Sequence, residues 1–438
     1  MYQKKSYGSH TSKVTLGDLV AEEPCYGTSA TAIARTDDKQ PKYIRITDFD
    51  DFGIDDNHEY MTAEKYADKH ILKNGDILFA RTGATVGKTY YYDGSIGNAV
   101  FAGYCIRFRF DEKKVFPKFV YWCTKTSSFI NWVNGIQRPS GQPNINKEEY
   151  KSYVINLPNM EIQKSLSDYL DNALSIRNQK INKLNEYVDI TRKQLFHQLN
   201  IDFIEYTPHL FSFTKLADVK KLGIYCNPHS AYLRKVFLQL SNHSWYHGVL
   251  KDFVDINPPI DKTELTNETK VSFVPMTNVG EKNNKVLYEI KDYQEVKTGF
   301  TPFMRGDLLW AKITPCMQNG KSFISDNMPT KYGFGSTEFH VLRSKNENLY
   351  LPYLWVLLSD SHILEAAQGM FSGSAGQQRV TDVFLKNFPV VLPPYNLQVE
   401  LADKVFSSLQ EADVLTQQAE QEWQEAKKQF EKELLGEL

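Results

Sequence analysis

Residues 73–92 read KNGDILFARTGATVGKTYYY, and residues 304–325 read MRGDLLWAKITPCMQNGKSFIS. Each stretch runs through Gly-Asp, an apolar run, Ala with Arg or Lys, a polar loop, Gly-Lys-Thr/Ser and a second apolar run. A chain that repeats itself this way is built from two like domains, and every later assignment has to respect the duplication. Two further pairs extend it. GQPNINKEEYKSYVINLPNMEIQ (141–163) aligns without a gap to GQQRVTDVFLKNFPVVLPPYNLQ (376–398), and VTLGDLV (14–20) aligns more weakly to GVLKDFV (248–254). A length of 438 residues leaves room for two or three domains with separate cores.

The segment RTGATVGKT (81–89) invites a nucleotide-binding reading, and its spacing argues against one. A phosphate-cradling loop needs four residues between its glycines and must open a helix. Here three residues separate Gly83 from Gly87, and TYYYDGS follows, which reads as a strand and a turn. In the second copy Lys312 stands for Arg81 and Lys321 for Lys88, with two more residues between them. A phosphate cradle does not tolerate that change, whereas a hairpin tip does. A P-loop-like nucleotide hydrolase and a protein-binding scaffold without DNA readout are the alternatives to the reading developed below.

Both halves end in a long segment of helical period. Leu170, Leu174, Ile181, Leu184, Val188 and Leu195 share one three-four register, interrupted by Arg177 and Thr191. From Ala402 the register is unbroken through Val405, Leu409, Ala412, Thr416, Ala419, Trp423, Ala426 and Phe430. A thin apolar stripe on a charged helix asks for a partner helix, and the other half supplies one. Leu174, Ile181, Leu184, Val188 and Leu195 are therefore expected to pair with Val405, Leu409, Ala412, Ala419 and Trp423, antiparallel, in rods roughly 55 to 60 Å long. Between these helices KYIRITDF, DILFA, TYYY and YCIRFRF read as short strands, and FPKFVYWCTKTSSFINWVN (116–134) reads as one amphipathic helix.

Charge is unevenly spread. The formal net charge is −2, yet residues 71–160 carry 12 Lys/Arg against 6 Asp/Glu, while residues 400–438 carry 4 against 10. The basic zone coincides with the first hairpin, as expected of a nucleic-acid footprint. No run approaches 18 apolar residues, so no membrane partner is expected. Cys25, Cys105, Cys123, Cys226 and Cys316 form no CxxC pair, which predicts neither a zinc site nor a disulfide framework and points to the cytoplasm. The Asp-rich DFDDFGIDD (48–56) reads as a solvated turn rather than a metal site. NPPI (257–260) and LPPY (392–395) each miss one element of the Asn/Asp-Pro-Pro-aromatic motif of methyltransferases that act on a flipped base. No catalytic residue and no metal ligand are expected.

With these features in this order, the chain resembles the specificity (S) subunit of type I restriction-modification systems. The resemblance rests on GDILFARTGATVGK, its copy GDLLWAKITPCMQNGK, the segments VINLPNMEIQ and VVLPPYNLQVE, and the duplication itself. It implies an α+β chain with two pseudo-symmetric mixed α/β target-recognition domains separated by an antiparallel pair of long helices that the family conserves. The expected division is 1–157 and 246–392 for the domains, 158–203 and 393–438 for the helices, and 204–245 for a linker, within which a short helix is suspected. It implies too a non-catalytic subunit that reads a bipartite, asymmetric site in double-stranded DNA. Two methyltransferase (modification) subunits and the restriction (translocase-nuclease) subunits would dock on it. S-adenosylmethionine, ATP and Mg would belong to those partners, and none to this chain.

Candidate DNA contacts follow from the presented loops. The first hairpin offers Arg81, Thr82, Thr85 and Lys88, and its copy offers Lys312, Gln318 and Lys321. QRPSGQPN (137–144) offers Arg138, Ser140, Gln142 and Asn144, and MFSGSAGQQR (370–379) offers Ser372, Ser374, Gln377, Gln378 and Arg379. Arg, Asn, Gln, Ser and Thr are the residue types that reach base edges, while Lys and Arg hold phosphates.

Overall fold

The computed structural model describes residues 11–54, 58–136, 143–203, 205–206, 229–374 and 377–435. The chain forms two compact units, Met1–Asn182 with Thr416–Leu438, and Lys183–Leu415. The first long helix, Met160–Gln198, and the second, Tyr395–Leu435, each contribute residues to both units.

In the first unit the central sheet runs Cys25–Tyr26, Cys105–Phe108, Ile77–Ala80, Thr89–Tyr91, all antiparallel. The run Ile77-Leu78-Phe79-Ala80 is apolar throughout because both faces of its strand are covered. Ile77 and Phe79 face a core with Phe119, Trp122 and Phe129, while Leu78 and Ala80 face a second core with Tyr90 and Phe101. The second unit repeats the order with Val254–Ile256, Phe339–Ser344, Leu308–Ala311 and Ser322–Ile324. Leu308 and Trp310 there face one core, Leu309 and Ala311 another. Each unit also holds one parallel strand pair beside this sheet, Lys42–Ile44 with Ala99–Phe101 and Lys270–Val274 with Tyr332–Gly335.

The Gly-Asp signature has a structural explanation. Gly75 (φ +90°) and Gly306 (φ +88°) sit in the left-handed region that a tight turn needs at its third position. The next residue turns its carboxylate inward. Asp76 is 1% exposed and accepts from Arg109 Nε and Nη2, both at 2.7 Å, and from the Lys73 amide at 2.7 Å. Asp307, also 1% exposed, accepts from Arg343 Nε at 2.8 Å, Arg343 Nη2 at 2.7 Å and the Met304 amide at 2.7 Å. A two-point fork of this kind holds a planar guanidinium in one orientation. A matched pair of buried glutamines closes each unit at its helix start. The Gln163 side chain accepts from the Phe116 amide and donates to the Pro158 carbonyl, and Gln398 accepts from the Tyr350 amide and donates to the Pro393 carbonyl.

Three expectations change. The helix over 116–134 is two helices, Pro117–Cys123 and Ser127–Ile136, because the Thr124 and Thr126 hydroxyls donate back to the Tyr121 and Cys123 carbonyls at 2.6 and 2.7 Å. Such local bonds compete with helix continuation. The strand in KYIRITDF stops at Ile44, where the Asp48 carboxylate accepts from the Arg45 amide and side chain and sets a turn. Within 204–245 the helix Ser230–Ser241 is more than a connection, since it buries Tyr232, Leu233, Val236, Phe237 and Leu240 in the core of the second unit.

The stripe on the second long helix lies on its inward side and is made of buried and half-buried positions. Ala402, Val405, Ala419, Trp423, Ala426 and Phe430 are buried, and Leu409, Ala412 and Thr416 are half-buried. Leu174, Ile181, Leu184 and Val188 of the first helix are half-buried as well. In the first unit the two helix segments run antiparallel: Asn156 Nδ2 donates to the Leu434 carbonyl at 3.0 Å, and farther along Arg177 Nε donates to Glu420 at 2.7 Å. Arg177, which breaks the apolar register, also lies 3.8 Å over the Phe52 ring. Not every stripe residue serves pairing alone. Trp423 sits 5.8 Å from Trp122, and Phe430 sits 6.1 Å from Phe119, inside the first unit's core. Leu195 and Val405 belong to the core of the second unit.

Candidate nucleic-acid interface

In both units the hairpin built on the Gly-Asp strand is tied by the same backbone bonds to the start of the second repeated stretch, 141–163 in one unit and 376–398 in the other. In the first, the Ile145 amide donates to the Arg81 carbonyl at 2.9 Å and the Gly83 amide to the Pro143 carbonyl at 3.1 Å, with Thr82 bridged to Asn144. In the second, the Val380 amide donates to the Lys312 carbonyl at 2.9 Å and the Thr314 amide to the Gln378 carbonyl at 2.9 Å, with Ile313 bridged to Arg379. A third segment closes each frame, since the Arg81 amide donates to the Tyr104 carbonyl and the Lys312 amide to the Glu338 carbonyl. One backbone scaffold thus presents two different sets of side chains.

The Gly-Lys segments belong to this hairpin. Lys88 closes the loop through its carbonyl, which accepts from the Ala80 amide at 2.8 Å, and the chain then enters the antiparallel strand Thr89–Tyr91. No helix opens there, so the loop lacks the aligned N–H groups that hold a nucleotide phosphate. Gly87 has φ +88°, and a Cβ on it would lie 2.7 Å from Val133 Cγ1; both the conformation and the close approach require glycine.

The sequence candidates are placed as follows. Thr82, Thr85 and Lys88 are half-buried at the first tip, and Asn144 is exposed beside Thr82. Arg81 is half-buried with its guanidinium 4.8 Å from the Tyr26 ring, which draws it toward the domain. Arg138, Ser140 and Gln142 lie outside the described residues. In the second unit Ser372, Ser374 and Gln377 are exposed at one hairpin tip. Gln318 is exposed and donates to Gln368 Oε1 at 2.9 Å. Lys321 donates to the Met276 carbonyl at 3.3 Å, and burial pushes the Lys312 ammonium below its usual range. Arg379 is forked by Glu338, with Nε 2.9 Å and Nη2 2.7 Å from the two carboxylate oxygens. Each holds the other charged: the Arg379 bond pulls the Glu338 carboxyl down, and Glu338 raises Arg379.

Glu338 and Tyr104 are the functional candidates that the sequence reading passed over. Both directly precede the strand paired to the Gly-Asp strand, and aligning YCIRFRF (104–110) with EFHVLRS (338–344) would have exposed them. Lys125 was missed too. Its amine donates to the Thr89 carbonyl at 3.0 Å beneath the first tip, and desolvation pushes it down to about 8. Asn257 of NPPI is structural, its side chain accepting from the Val341 amide at 3.0 Å. Among the described residues no cluster of His, Cys, Asp and Glu could hold a metal ion.

Comparison with known proteins agrees with this duplicated frame. The family model of the type I restriction modification DNA specificity domain matches residues 10–186 and again residues 242–422. The specificity subunit of the type I restriction enzyme EcoEI of Escherichia coli is 36% identical over 176 residues, which span 40% of this chain and 29% of that protein. The EcoAI specificity subunit of Escherichia coli is 34% identical over 176 residues, 40% of this chain and 30% of that protein. These alignments therefore span less than a third of each relative. Among solved structures, a chain of a type I R-M system assembly covers 97% of this chain and 96% of its own length, with 14% identity and a TM-score of 0.49. The type I restriction-modification S subunit from M. genitalium covers 98% of this chain and 97% of its own, with 15% identity and a TM-score of 0.41. Matched by the family model over both halves, the chain belongs to the type I restriction modification DNA specificity family and carries its domain twice.

Proposed function

We propose that this chain is the DNA-reading, non-catalytic subunit of a type I restriction-modification complex, and that each unit reads one half of a bipartite, asymmetric site. The observation that carries this is the twin frame. The same backbone bonds hold both tips, while the side chains on them differ, with Asn144 and Tyr104 in one unit and Arg379 and Glu338 in the other. Identical scaffolds with unlike side chains suit two different half-sites, because base edges are told apart by donor and acceptor pattern. Methyltransferase and restriction subunits would dock on the long helices, where Tyr187, Ile190 and Val414 are 44%, 44% and 48% exposed. Apolar side chains left in water on a charged helix suit a protein partner. S-adenosylmethionine, ATP and Mg would act in those partners, and the complex would work in the cytoplasm. No helix among the described residues is long and apolar enough to cross a membrane.

Titration of a duplex with the chain bound to its methyltransferase partner, over a range of salt, tests this reading. The complex is expected to bind the duplex with strong salt dependence. Lys88→Ala should weaken all sequences alike and reduce the magnitude of the salt slope by about one. Absence of duplex binding at low salt, or ATP binding to the chain that Lys88→Ala abolishes, would contradict it.

A further inference from the structure

In the second unit Arg379 is held at both its backbone and its guanidinium. Its backbone is bridged to Ile313 on one edge and paired with Ser372 on the other. Its guanidinium spends Nε and one Nη2 hydrogen on Glu338, and one Nη1 hydrogen on the Gln377 carbonyl at 3.0 Å. A guanidinium has five N–H donors, so among the described residues two are left without a partner, one on each terminal nitrogen, and the side chain is 41% exposed. Two adjacent donors are what the O6 and N7 of guanine accept in the major groove. A carboxylate that fixes the arginine plane removes the rotamer freedom that would otherwise be lost on binding, and it leaves the pair itself without net charge. A neutral, rigid pair contributes little to holding phosphates and much to telling bases apart.

We infer that Arg379, positioned by Glu338, is a guanine-reading residue of the second unit. This rests on the DNA-reading role proposed above and assigns one base pair within it. The first unit has Asn144 and Tyr104 at the equivalent places, so no such fork forms there, and the guanine is assigned to the half-site of the second unit.

The test is selection of bound duplexes from a randomised pool by the full complex, followed by sequencing, for wild type, Arg379→Ala, Arg379→Lys and Glu338→Gln. The expected wild-type motif has a G·C pair in one of its two blocks. Arg379→Ala and Arg379→Lys should each lower the preference at that pair roughly tenfold to a hundredfold, with the remaining bases unchanged. Glu338→Gln should lower it less, at the same pair. The inference is overturned if Arg379→Ala leaves every base preference intact. It is equally overturned if Arg379→Lys behaves as wild type while Arg379→Ala weakens all sequences or erases the whole block, because the arginine would then serve phosphate binding or the fold through charge alone. Either outcome, with a wild-type motif present, leaves DNA reading standing. A wild type that selects no motif brings down both.

Discussion

Asp307→Ala is expected to destabilise the second unit by roughly 3 to 5 kcal/mol, the range seen when one partner of a buried ion pair is removed. Asp307 is 1% exposed and is the acceptor for both forked nitrogens of Arg343 and for the Met304 amide. Removing it takes the acceptor from all three donors, and among the described residues the hydrogen bond left to Arg343, with the Pro259 carbonyl, is long at 3.3 Å. The matching variant Asp76→Ala should cost less. Arg109 keeps Glu22, whose carboxylate oxygen lies 2.8 Å from Arg109 Nη1 and also meets Arg107. Hydrogen exchange reads the difference strand by strand. In Asp307→Ala, amides of Leu308–Ala311 and Phe339–Ser344 should exchange faster by about two to four orders of magnitude. Acceleration below tenfold would show that the Gly-Asp signature does not carry the fold as argued.

Trp423→Ala is the second large effect. Trp423 is 4% exposed, lies against Trp122, and joins a core built from residues some 300 positions earlier in the chain. Truncating a buried aromatic to alanine costs roughly 3 to 5 kcal/mol. The loss should fall on the first unit, which includes Thr416–Leu438, and spare Lys183–Leu415. Trp355→Ala is the reciprocal control, since Trp355 is fully buried in the second unit against Phe406 at 5.1 Å. Equal protection loss in both units for either variant would contradict this division of the core.

What the sequence disclosed was what depends on local period. The three-four stripe from Ala402 to Phe430 is the inward side of its helix, and DILFA is a strand because unbroken apolarity over a few residues means cover on both faces. The hairpin reading of the Gly-Lys loop followed from its change of length between copies. Long-range pairings stayed hidden. Nothing near Arg379 announces that Glu338, 41 positions earlier, takes up three of its five donors together with Gln377. Nothing near Arg81 announces that Tyr26 holds its guanidinium. The break after Cys123 turns on two threonine hydroxyls whose bonds periodicity does not weigh. Trp423 was legible as a seam residue but not as part of the first unit's core, because helical period gives the face and not the neighbour.

On the proposed reading, one reader was duplicated and its two copies read different bases. Sequencing the duplexes that the wild-type complex selects from a randomised pool measures this most directly. Two separate blocks of unlike sequence are the predicted result. A single contiguous block, two identical blocks, or a pool no different from the input would contradict it.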